Sequence, residues 1–500
     1  MPHPIYSAAL DFGATSGRVI LGRWSNDRLT LSEVHRFPNA FRTLNGHDYW
    51  DVGGLWHEAQ IGLRKAAAQL PRGAALASIG VDCWGVDYVL VNDTGRLVFP
   101  VHAYRDARTQ PGLKRLGNTR AALARIYAAT GVPNVFYNTS LQLEEVVASC
   151  PAISDLATRC LFLPDYFNFL LSGRMENEFS IASTSQLIDV HSTNWSRAAL
   201  DHFRIPPQWF SQPVLSGTRL GRLRREIREE SATLKDTQVI AVPGHDTACA
   251  YDAMPAAAGG NDLYLSSGTW SLVGFESDRP VLGEAALAAR ISNERIGDGR
   301  YRPLTNVIGL WLLEGTLKDF ASRPTNDKEW AALITAAEKL RASSAGIPAG
   351  HRVRAGSKPA VPESLLDLSD PAFANPPSMK VAIDAHLRKR KTTTPKHLAG
   401  YVRLICDSLG RGHAEAMRNF EQLAGRRFER ILIVGGGSKN RLLCQATADA
   451  ARVPVVSFAL EGTAVGNLAR QLITLGAVKD LASFRRRLGA NLKQTIYAPR

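Results

Sequence analysis

The sequence has few cysteines and no long hydrophobic run, and each absence excludes a class of protein. Its 500 residues include six cysteines, scattered without a Cys-x-x-Cys pair or a Cys/His cluster, so neither a disulfide scaffold nor a zinc site is indicated. No stretch approaches the roughly 18 apolar residues of a membrane span, because Asp82 and Asp87 interrupt the apolar segment Leu76–Asn92. No basic region leads into an apolar one near residue 1, as in a signal peptide. We therefore expect a cytoplasmic protein without a membrane partner.

The charge is biased towards basic residues, with a formal net charge of +14. Such an excess is typical of some nucleic-acid-binding proteins. Here the basic residues are spread along the chain, and their clusters at Arg222–Arg228, Arg388–Lys396 and Arg485–Arg487 resemble solvated faces or loops. A basic surface would equally attract an anionic small molecule. We therefore predict no nucleic-acid partner.

Two segments, one in each half of the chain, share the pattern of a strand, a small polar turn and a second strand. Their strands are predicted at Ala8–Asp11, Arg18–Trp24, Leu263–Leu265 and Trp270–Phe275. Chains of this length usually contain more than one hydrophobic core. The repeated pattern therefore predicts two related lobes, comprising residues 1–241 and 242–500.

The remaining pattern mixes strands with helices. Further strands are predicted at Ser78–Asp82, Tyr88–Asn92, Gln238–Val242 and Arg430–Val434. Helical periodicity is present at Leu55–Leu70, Thr119–Thr130, Leu141–Cys150, Trp330–Ala342, Pro395–Leu423 and Asn440–Ala451. The segment Ser343–Pro377 is rich in Pro, Gly and Ser and is predicted to be mostly loop. This mixture predicts α/β lobes.

The turn between Asp11 and Arg18 is a candidate phosphate-binding loop. Its glycines allow close approach of the backbone to a ligand, and successive N–H groups form an anion-binding concavity to which Thr15 and Ser16 add hydroxyls. Asp11, at the end of the strand, is a candidate ligand of Mg²⁺. A Rossmann or Walker loop should lead into a helix, whereas β-branched residues follow here and favour a hairpin. The alternative is an ordinary surface turn.

A second motif, Val242–Ala248, follows a predicted strand. A carboxylate at Asp246 would accept the proton of a substrate hydroxyl as that oxygen attacks a phosphorus atom. His245 and Thr247 are candidates for hydrogen bonds to a sugar. The alternative is a helix cap, because Asp and Thr are favourable cap residues.

The third motif is the glycine run in Val434–Asn440, between a predicted strand and a helix. Its glycines would let a flat ligand such as adenine lie against the backbone. The pattern G-x-x-x-x-G-K-[ST] is absent, which excludes a Walker A loop. The alternative is a tight turn from strand to helix, which would need fewer glycines.

A fourth motif combines Asp82–Asp87 with Ala103–Arg108. Aromatic, glycine and charged residues together are typical of a sugar pocket. The alternatives are core packing for Trp84 and a surface ion pair between Arg105 and Asp106.

Taken together, the motifs resemble the FGGY carbohydrate kinases, a branch of the actin-like ATPase superfamily. The resemblance rests on the stretches LDFGATSGRVILGRW, IGVDCWGVDYVLVN, PVHAYRDART, LPDYFNFLLSG, GHDTACA, YLSSGTWSLVGFES, NVIGLWLLEG and LIVGGGSKN, which follow the family order from Leu10 to Asn440. The DCWGVDY and SSGTWSL versions favour the L-rhamnulokinase branch over xylulokinases or glycerol kinases.

This resemblance implies two ribonuclease-H-like lobes with the active site in the cleft between them. It also implies transfer of the γ-phosphate of ATP to the 1-hydroxyl of L-rhamnulose, with Mg²⁺ and with Asp246 as the catalytic base. The implied sugar contacts are Gly85, His245, Asp246, Thr247 and Asn306. The implied nucleotide contacts are Ala14, Thr15, Ser16, Gly17, Arg18, Thr269, Glu314 and Gly436.

Two departures from the family pattern leave alternatives open. Glu314 occupies a position where L-rhamnulokinases carry Gln, and a carboxylate near phosphates would repel them unless a metal or an arginine compensates. The GHDTA form at 244–248 also occurs in fuculokinases, so L-fuculose is an alternative acceptor. A protein of another class, which binds sugar and regulates without catalysis, is the remaining alternative.

Overall fold

The computed structural model describes residues 3–116, 119–256, 260–340, 365–458 and 461–500. The chain divides into two compact units. Unit 1 comprises Met1–Pro255, Glu276–Pro303 and Glu461–Asn491, and unit 2 comprises Ala256–Phe275, Leu304–Leu460 and Leu492–Arg500. Two segments from the second half of the chain thus belong to unit 1. The simpler division into lobes 1–241 and 242–500 stays a prediction.

The described residues form both strands and helices. The strands are β1 Ile5–Phe12, β2 Ser16–Ser25, β3 Arg28–Pro38, β4 Phe41–Leu44, β5 His47–Trp50, β6 Leu76–Cys83, β7 Tyr88–Val91, β8 Arg159–Phe162, β9 Arg219–Arg222, β10 Gln238–Ile240, β11 Asp262–Ser267, β12 Trp270–Gly274, β13 Ser292–Arg295, β14 Tyr301–Ile308, β15 Arg430–Val434, β16 Val455–Phe458 and β17 Gln494–Tyr497. The helices are α1 Val52–Ala68, α2 Gln110–Arg115, α3 Arg120–Thr130, α4 Thr139–Ser149, α5 Ile153–Leu156, α6 Leu163–Ser172, α7 Phe179–Ala182, α8 Arg197–His202, α9 Arg225–Arg228, α10 Asp246–Ala253, α11 Glu284–Ala288, α12 Trp311–Asp319, α13 Asp327–Glu338, α14 Met379–Lys389, α15 Leu398–Ala424, α16 Arg441–Ala451, α17 Gly462–Thr474 and α18 Leu481–Asn491.

Unit 1 is built on a mixed sheet with the strand order β3-β2-β1-β6-β10-β9. Strand β1 is antiparallel to β2 and parallel to β6, and β10 is parallel to β6. Nearly all of β6 is buried, as expected for a central strand covered on both faces. In the register between β1 and β6, Asp11 is the partner of Asp82. The sheet therefore brings two carboxylates side by side at the ends of neighbouring parallel strands.

In unit 2 the strands β14, β12, β11, β15, β16 and β17 are neighbours in that order. Strand β11 is antiparallel to β12 and parallel to β15, and β15 is parallel to β16. Both end pairs, β12 with β14 and β16 with β17, are antiparallel. This order and these directions repeat those of unit 1, so the hairpin pattern predicted in both halves belongs to a repeated sheet.

Helix α17 carries the polar groups that reach the central strands of unit 1. It packs closely on α10, since a Cβ atom at Gly466 would lie 1.8 Å from the carbonyl oxygen of Cys249. The Gln471 side chain donates to the carbonyl oxygen of Ala8 at 2.9 Å, and the Asn467 side chain donates to that of Gly80 at 3.1 Å. Helix α17 is therefore fixed against β1 and β6 beside the paired carboxylates.

Most predicted elements are present in the structure. The eight predicted strands overlap β1, β2, β6, β7, β10, β11, β12 and β15, and the six predicted helices overlap α1, α3, α4, α13, α15 and α16. The part of the predicted loop Ser343–Pro377 up to residue 364 lies outside the described residues, and 365–377 is loop with a 3-10 turn at Pro371–Phe373. All six cysteines are free. Within the ranges described, no helix is both long enough and apolar enough to cross a membrane.

Candidate active site

The base of the first hairpin is held by an ionic contact. Asp11 on β1 lies opposite Arg18 on β2, and the Arg18 Nε donates to the Asp11 Oδ2 at 2.8 Å. The Arg18 Nη1 lies 2.5 Å from a carboxylate oxygen of Glu461. Burial raises the pKa of Asp11, although the charge of Arg18 opposes that rise. The hairpin therefore ends in a buried carboxylate whose charge is balanced by an arginine.

Asp82, at the end of β6, is a second buried carboxylate beside Asp11. Burial raises its pKa well above the usual range, and the negative charges of Asp11 and Asp246 add to that rise. Its Oδ2 accepts from the Asn467 side chain at 2.6 Å, while its buried Oδ1 has no hydrogen-bond partner among the described residues. The sequence placed Asp82 in the sugar motif and missed this position. The available signal was an apolar strand that ends in Asp, as at Asp11.

Asp11 and Asp82 together determine whether the predicted Mg²⁺ site at Asp11 fits the structure. In the part of the chain that the structure describes, no group of three or more His, Cys, Asp or Glu side chains forms a ready-made metal cage. Mg²⁺ usually keeps several waters and binds through one or two carboxylates together with substrate phosphates. Asp11 and the unpartnered Oδ1 of Asp82 fit that kind of site, in which phosphate oxygens and water supply the other ligands.

The turn of the first hairpin is closed by backbone contacts. Gly13 N donates to the Ser16 oxygen at 3.0 Å, and the Asn39 side chain donates to the Gly13 oxygen at 2.9 Å. Gly17 lies on the ring of Phe37, where a Cβ atom would come within 2.2 Å of the ring. Thr15 is exposed, and Ala14 and Ser16 are half-buried. The predicted nucleotide contacts Ala14 to Arg18 thus lie in one turn, with Thr15 exposed and with Arg18 at its base.

The Asp246 carboxylate lies at the start of α10. Its Oδ1 accepts from the Thr247 backbone N at 2.5 Å and from the Thr247 hydroxyl at 3.0 Å. The preceding loop is anchored because Gly244 donates to a buried Glu178 oxygen at 2.9 Å and accepts from Cys83 N at 2.9 Å. Asp246 is the first residue of the helix and His245 is its N-cap, without a side-chain cap bond. Asp246 is therefore not the N-cap residue itself, although its carboxylate accepts an N–H of the first turn, as a capping side chain does.

His245 lies between Asp246 and a buried ion pair. Its Nε2 is 3.4 Å from the Asp246 Oδ1, and its Nδ1 faces Glu294 at 3.2 Å and Arg302 at 2.8 Å. A Cβ atom at Gly85 would lie 3.2 Å from the His245 Nε2, so glycine leaves room beside the imidazole. Unit 1 thus brings together four of the five predicted sugar contacts, Gly85, His245, Asp246 and Thr247.

The fourth motif forms an aromatic cluster around Asp87. The Asp87 Oδ2 accepts from the indole nitrogens of Trp50 and Trp84 at 2.6 and 2.9 Å. Burial raises the pKa of Asp87 to about 6, against the effect of these donors. Asp106 is buried and accepts from the backbone N–H of Asp48 and Arg108. The alternative of a surface ion pair between Arg105 and Asp106 is therefore wrong.

In unit 2 the glycine run packs against the second hairpin. Gly435 has a φ of +84°, and a Cβ atom there would lie 2.6 Å from the Ser267 carbonyl oxygen. A Cβ atom at Gly437 would lie 2.1 Å from the Ser267 Oγ. Two of the three glycines are thus required by the turn itself. Gly436 is exposed, as is Thr269 in the β11–β12 turn, and both stay predicted nucleotide contacts.

The two remaining predicted residues also belong to unit 2. Asn306 is exposed on β14 opposite Leu272, in a different unit from the other predicted sugar contacts. Glu314, on α12, forms an ion pair with Arg323, with 3.2 Å between its Oε2 and the arginine Nη2. This arginine is the kind of compensating charge that a carboxylate at that position requires near phosphates.

Comparison with known families decides the identity of the chain. The model of the N-terminal domain of the FGGY family of carbohydrate kinases matches residues 6–251, and that of the C-terminal domain matches residues 263–475. The chain belongs to the FGGY family of carbohydrate kinases. It is an ATP-dependent sugar kinase, as the resemblance of its motifs implied.

Individual relatives agree with this membership. A rhamnulokinase of Klebsiella pneumoniae subsp. pneumoniae is 37% identical to this chain. The alignment covers 99% of this chain and 94% of that relative. A rhamnulokinase of Bacteroides thetaiotaomicron is 35% identical to this chain, and the alignment covers 98% of this chain and 95% of that relative. The solved gluconate kinase of Lactobacillus acidophilus has a TM-score of 0.77 at 14% identity, covering 100% of this chain and 94% of its own. The FGGY kinase therefore has the two-domain α/β, actin-like ATPase fold.

Proposed function

We propose that this FGGY kinase transfers the γ-phosphate of ATP to the 1-hydroxyl of L-rhamnulose. The observation that supports L-rhamnulose as the acceptor is the 35–37% identity to rhamnulokinases over nearly the whole chain. The DCWGVDY and SSGTWSL stretches support the same acceptor. The GHDTA form at 244–248 favours L-fuculose as the second candidate.

Asp246 is the proposed general base. Phosphoryl transfer needs positioning and neutralisation of charge more than covalent participation by the protein. Thr247 fixes one Asp246 oxygen through its backbone N–H and its hydroxyl, which orients the carboxylate. Burial raises the pKa of Asp82, and the negative charge of Asp246 adds to that rise, so the carboxylate of Asp246 lies within the electrostatic field of Asp82. An oriented carboxylate in this field would accept the proton of the sugar hydroxyl as its oxygen attacks the γ-phosphorus.

The phosphates of ATP are assigned to the turn Ala14–Gly17 with Arg18, and the rest of the nucleotide to Thr269, Gly436 and Glu314. Asp11, with Asp82 beside it, would hold Mg²⁺. When bound, that ion would neutralise part of the phosphate charge. The Arg323 guanidinium keeps Glu314 from presenting an uncompensated negative charge to the nucleotide.

The acceptor is tested by measuring ADP release over a panel of ketoses that includes L-rhamnulose, L-fuculose and D-xylulose. We expect the highest kcat/KM for L-rhamnulose. A higher value for another ketose would replace L-rhamnulose as the acceptor and leave the sugar-kinase assignment intact. Binding of sugar without ATP turnover on any acceptor would support the regulatory alternative.

The base is tested with Asp246→Asn. We expect normal folding and a fall in kcat of at least about 100-fold, the usual contribution of a positioned general base. Asp327→Asn is the matched control, because Asp327 is likewise an acidic residue that begins a helix, α13. The control should keep the wild-type kcat. Retention of most of the kcat by Asp246→Asn would show that another group takes the proton.

A further inference from the structure

Behind His245 lies a buried ion pair for which the predicted reaction has no role. Arg302 is fully buried, and its Nη2 forms an ion pair with the Glu294 Oε2. The same Nη2 lies 2.8 Å from the His245 Nδ1. The guanidinium also lies 5.3 Å from the centroid of the Tyr251 ring. One arginine nitrogen therefore contacts both the carboxylate and the imidazole.

The hydrogens on this nitrogen decide the state of the imidazole. A terminal guanidinium nitrogen carries two hydrogens and cannot accept, so the Arg302 Nη2 can donate to Glu294 and to the His245 Nδ1 together. The Nδ1 must then offer its lone pair, and the ring hydrogen lies on Nε2. In the alternative, Nδ1 donates to the Glu294 Oε2 across 3.2 Å. That arrangement would direct the Nδ1–H at a hydrogen of the Arg302 Nη2, with only 2.8 Å between the two nitrogens, and the contact would be repulsive.

The opposite side of the imidazole faces the predicted sugar contacts. The Nε2 lies 3.4 Å from the Asp246 Oδ1 and next to Gly85, where a Cβ atom would come within 3.2 Å. A hydrogen on Nε2 would therefore be directed towards Asp246 and towards the space that glycine leaves open. Burial would raise the pKa of Glu294, and the positive charge of the adjacent Arg302 opposes that rise, which favours the ionised carboxylate that keeps Arg302 paired.

We infer that Arg302 and Glu294 are positioning residues that hold His245 as the neutral Nε2–H tautomer, so that this ring donates a hydrogen bond to the acceptor sugar beside Asp246. The inference rests on the proposed function because it takes the sugar to bind at His245. Arg302 acts through its charge and its Nη2–H, and Glu294 acts by keeping that guanidinium in place. Neither residue touches the reacting atoms.

The tautomer is measured directly by NMR on the full-length protein labelled with ¹⁵N-histidine. The resonances of His245 are identified as those lost in His245→Gln. We expect a protonated nitrogen at Nε2 and an unprotonated nitrogen at Nδ1 in the protein without substrate. A protonated Nδ1 would overturn the inference. It would leave the proposed acceptor and the role of Asp246 untouched, because the tautomer is read without turnover.

Two variants then test the role of the pair in catalysis. The double variant Arg302→Met/Glu294→Gln removes both charges and avoids an unpaired buried ion. We expect it to give a mixture of tautomers and to lower kcat/KM for the sugar by about 100-fold, the scale of a misplaced positioning group. The KM for ATP should stay unchanged, since neither residue is a predicted nucleotide contact. Arg302→Lys, which keeps the charge and a donor, should restore the Nε2–H tautomer and most of the activity.

The matched control is Arg470→Met/Asp252→Asn. It removes another buried ion pair of unit 1, with 2.7 Å between the arginine Nη2 and the Asp252 Oδ2, and Asp252 lies on α10 with Asp246. This control should keep the tautomer of His245 and the wild-type kcat/KM for the sugar. An equal loss of kcat/KM in both double variants would mean that any lost ion pair disturbs α10, and would overturn the specific role of Arg302 and Glu294.

Discussion

The two hairpins of this kinase have the same topology and different chemistry. In unit 1 the strand before the turn carries Asp11 at its end, and Arg18 follows the turn. In unit 2 the strand β11 ends at Ser267, the turn after it contains Thr269, and the glycine run packs on Ser267. The buried aspartate of β11 is Asp262, which begins the strand and pairs with Arg430. The same sheet order therefore supports an ionic turn in one unit and an uncharged turn in the other.

This difference suggests a division of work between the units. A turn of small residues and backbone groups is suited to hold a neutral base or a sugar ring by close approach. A turn with a balanced carboxylate and arginine is suited to phosphate and a metal ion, where charge must be neutralised. Unit 1 also contains Asp246 and Asp82. We therefore expect that variants which remove a charge lower activity most in unit 1. Variants which add a side chain to the close-packed turn should have their main effect in unit 2.

Asp11→Asn should have the largest effect of the following variants. We expect kcat to fall by roughly 100- to 1000-fold, the usual cost of one electrostatic contact to the transition state, and we expect a higher Mg²⁺ concentration for half-maximal rate. The measurement is ADP release as a function of Mg²⁺. Unchanged Mg²⁺ dependence would show that Asp11 does not belong to a metal site.

The control for Asp11→Asn lies at the matching strand of unit 2. Asp262 is 5% exposed, as is Asp11, and it forms hydrogen bonds of 2.5 and 3.0 Å with Arg430. Asp262→Asn should lower stability and leave the Mg²⁺ dependence unchanged. A similar loss of rate in both variants would erase the proposed contrast between the hairpins.

Asp87→Asn tests whether buried charge in unit 1 lowers stability at neutral pH. The folded protein holds the Asp87 proton up to about pH 6, whereas an unfolded chain releases it near pH 4. As the pH rises between these values, only the folded state stays protonated, so the wild type loses stability. The free energy of unfolding of Asp87→Asn relative to wild type should rise by about 3 kcal/mol from pH 4 to pH 7. Urea unfolding at several pH values measures this change.

Asp106→Asn is the control, because the pKa of Asp106 is shifted in the opposite direction to that of Asp87. The pKa of Asp106 is lowered because, despite burial, its carboxylate accepts from the backbone N–H of Asp48 and Arg108. Its stabilising contribution is present above about pH 4 and is lost only as the pH falls through the lowered pKa. The stability difference between Asp106→Asn and wild type should therefore stay constant from about pH 5 to pH 7. A slope like that of Asp87→Asn would show that the pH dependence comes from general disturbance of the aromatic cluster.

Gly435→Ala tests the role of shape in unit 2. The left-handed φ of +84° and the approach of a Cβ atom to 2.6 Å from the Ser267 oxygen should cost about 2 kcal/mol of stability. Gly436→Ala is the control, because its nearest neighbour would be Leu310 Cδ1 at 3.8 Å. This control should keep its stability and raise the KM for ATP if Gly436 contacts the nucleotide. Equal stability of the two variants would remove the structural explanation of the glycine run.

The sequence predicted the central strands well because local patterns determine them. Apolar runs that end in Asp identified β1 and β6, and small polar turns identified both hairpins. The strands β13 and β14 and the helices α12 and α17 were not predicted, and the buried amides Asn467 and Gln471 of α17 are the groups that hold this helix on the central strands. These amides have partners about 390 to 460 residues away in sequence. Periodicity within a short window contains no information about such partners.

The candidate site was predictable only in part for the same reason. His245, Asp246 and Thr247 are adjacent in sequence, so a motif contains all three. Arg302 and Glu294 contact His245 from a separate segment, with about 50 residues between the histidine and either partner. Their role follows from hydrogen bonding in the folded chain. The pairing of Glu314 with Arg323 was predictable in part. The sequence indicated that a compensating charge was needed, but it did not identify the arginine that supplies it.

Glu314→Gln should have the smallest effect. It restores the Gln of the family pattern and tests whether the negative charge of Glu314 affects ATP binding. The ion pair with Arg323 is exposed, with 40% and 69% of the two side chains accessible, so its loss should cost less than about 1 kcal/mol of stability. Because Arg323 already compensates the carboxylate, the KM for ATP should change by less than about twofold. Arg323→Ala is the sharper partner variant, since it leaves the Glu314 charge uncompensated and should raise the KM for ATP. A larger change in Glu314→Gln than in Arg323→Ala would mean that the carboxylate itself binds the nucleotide, and charge would then matter in unit 2 as well.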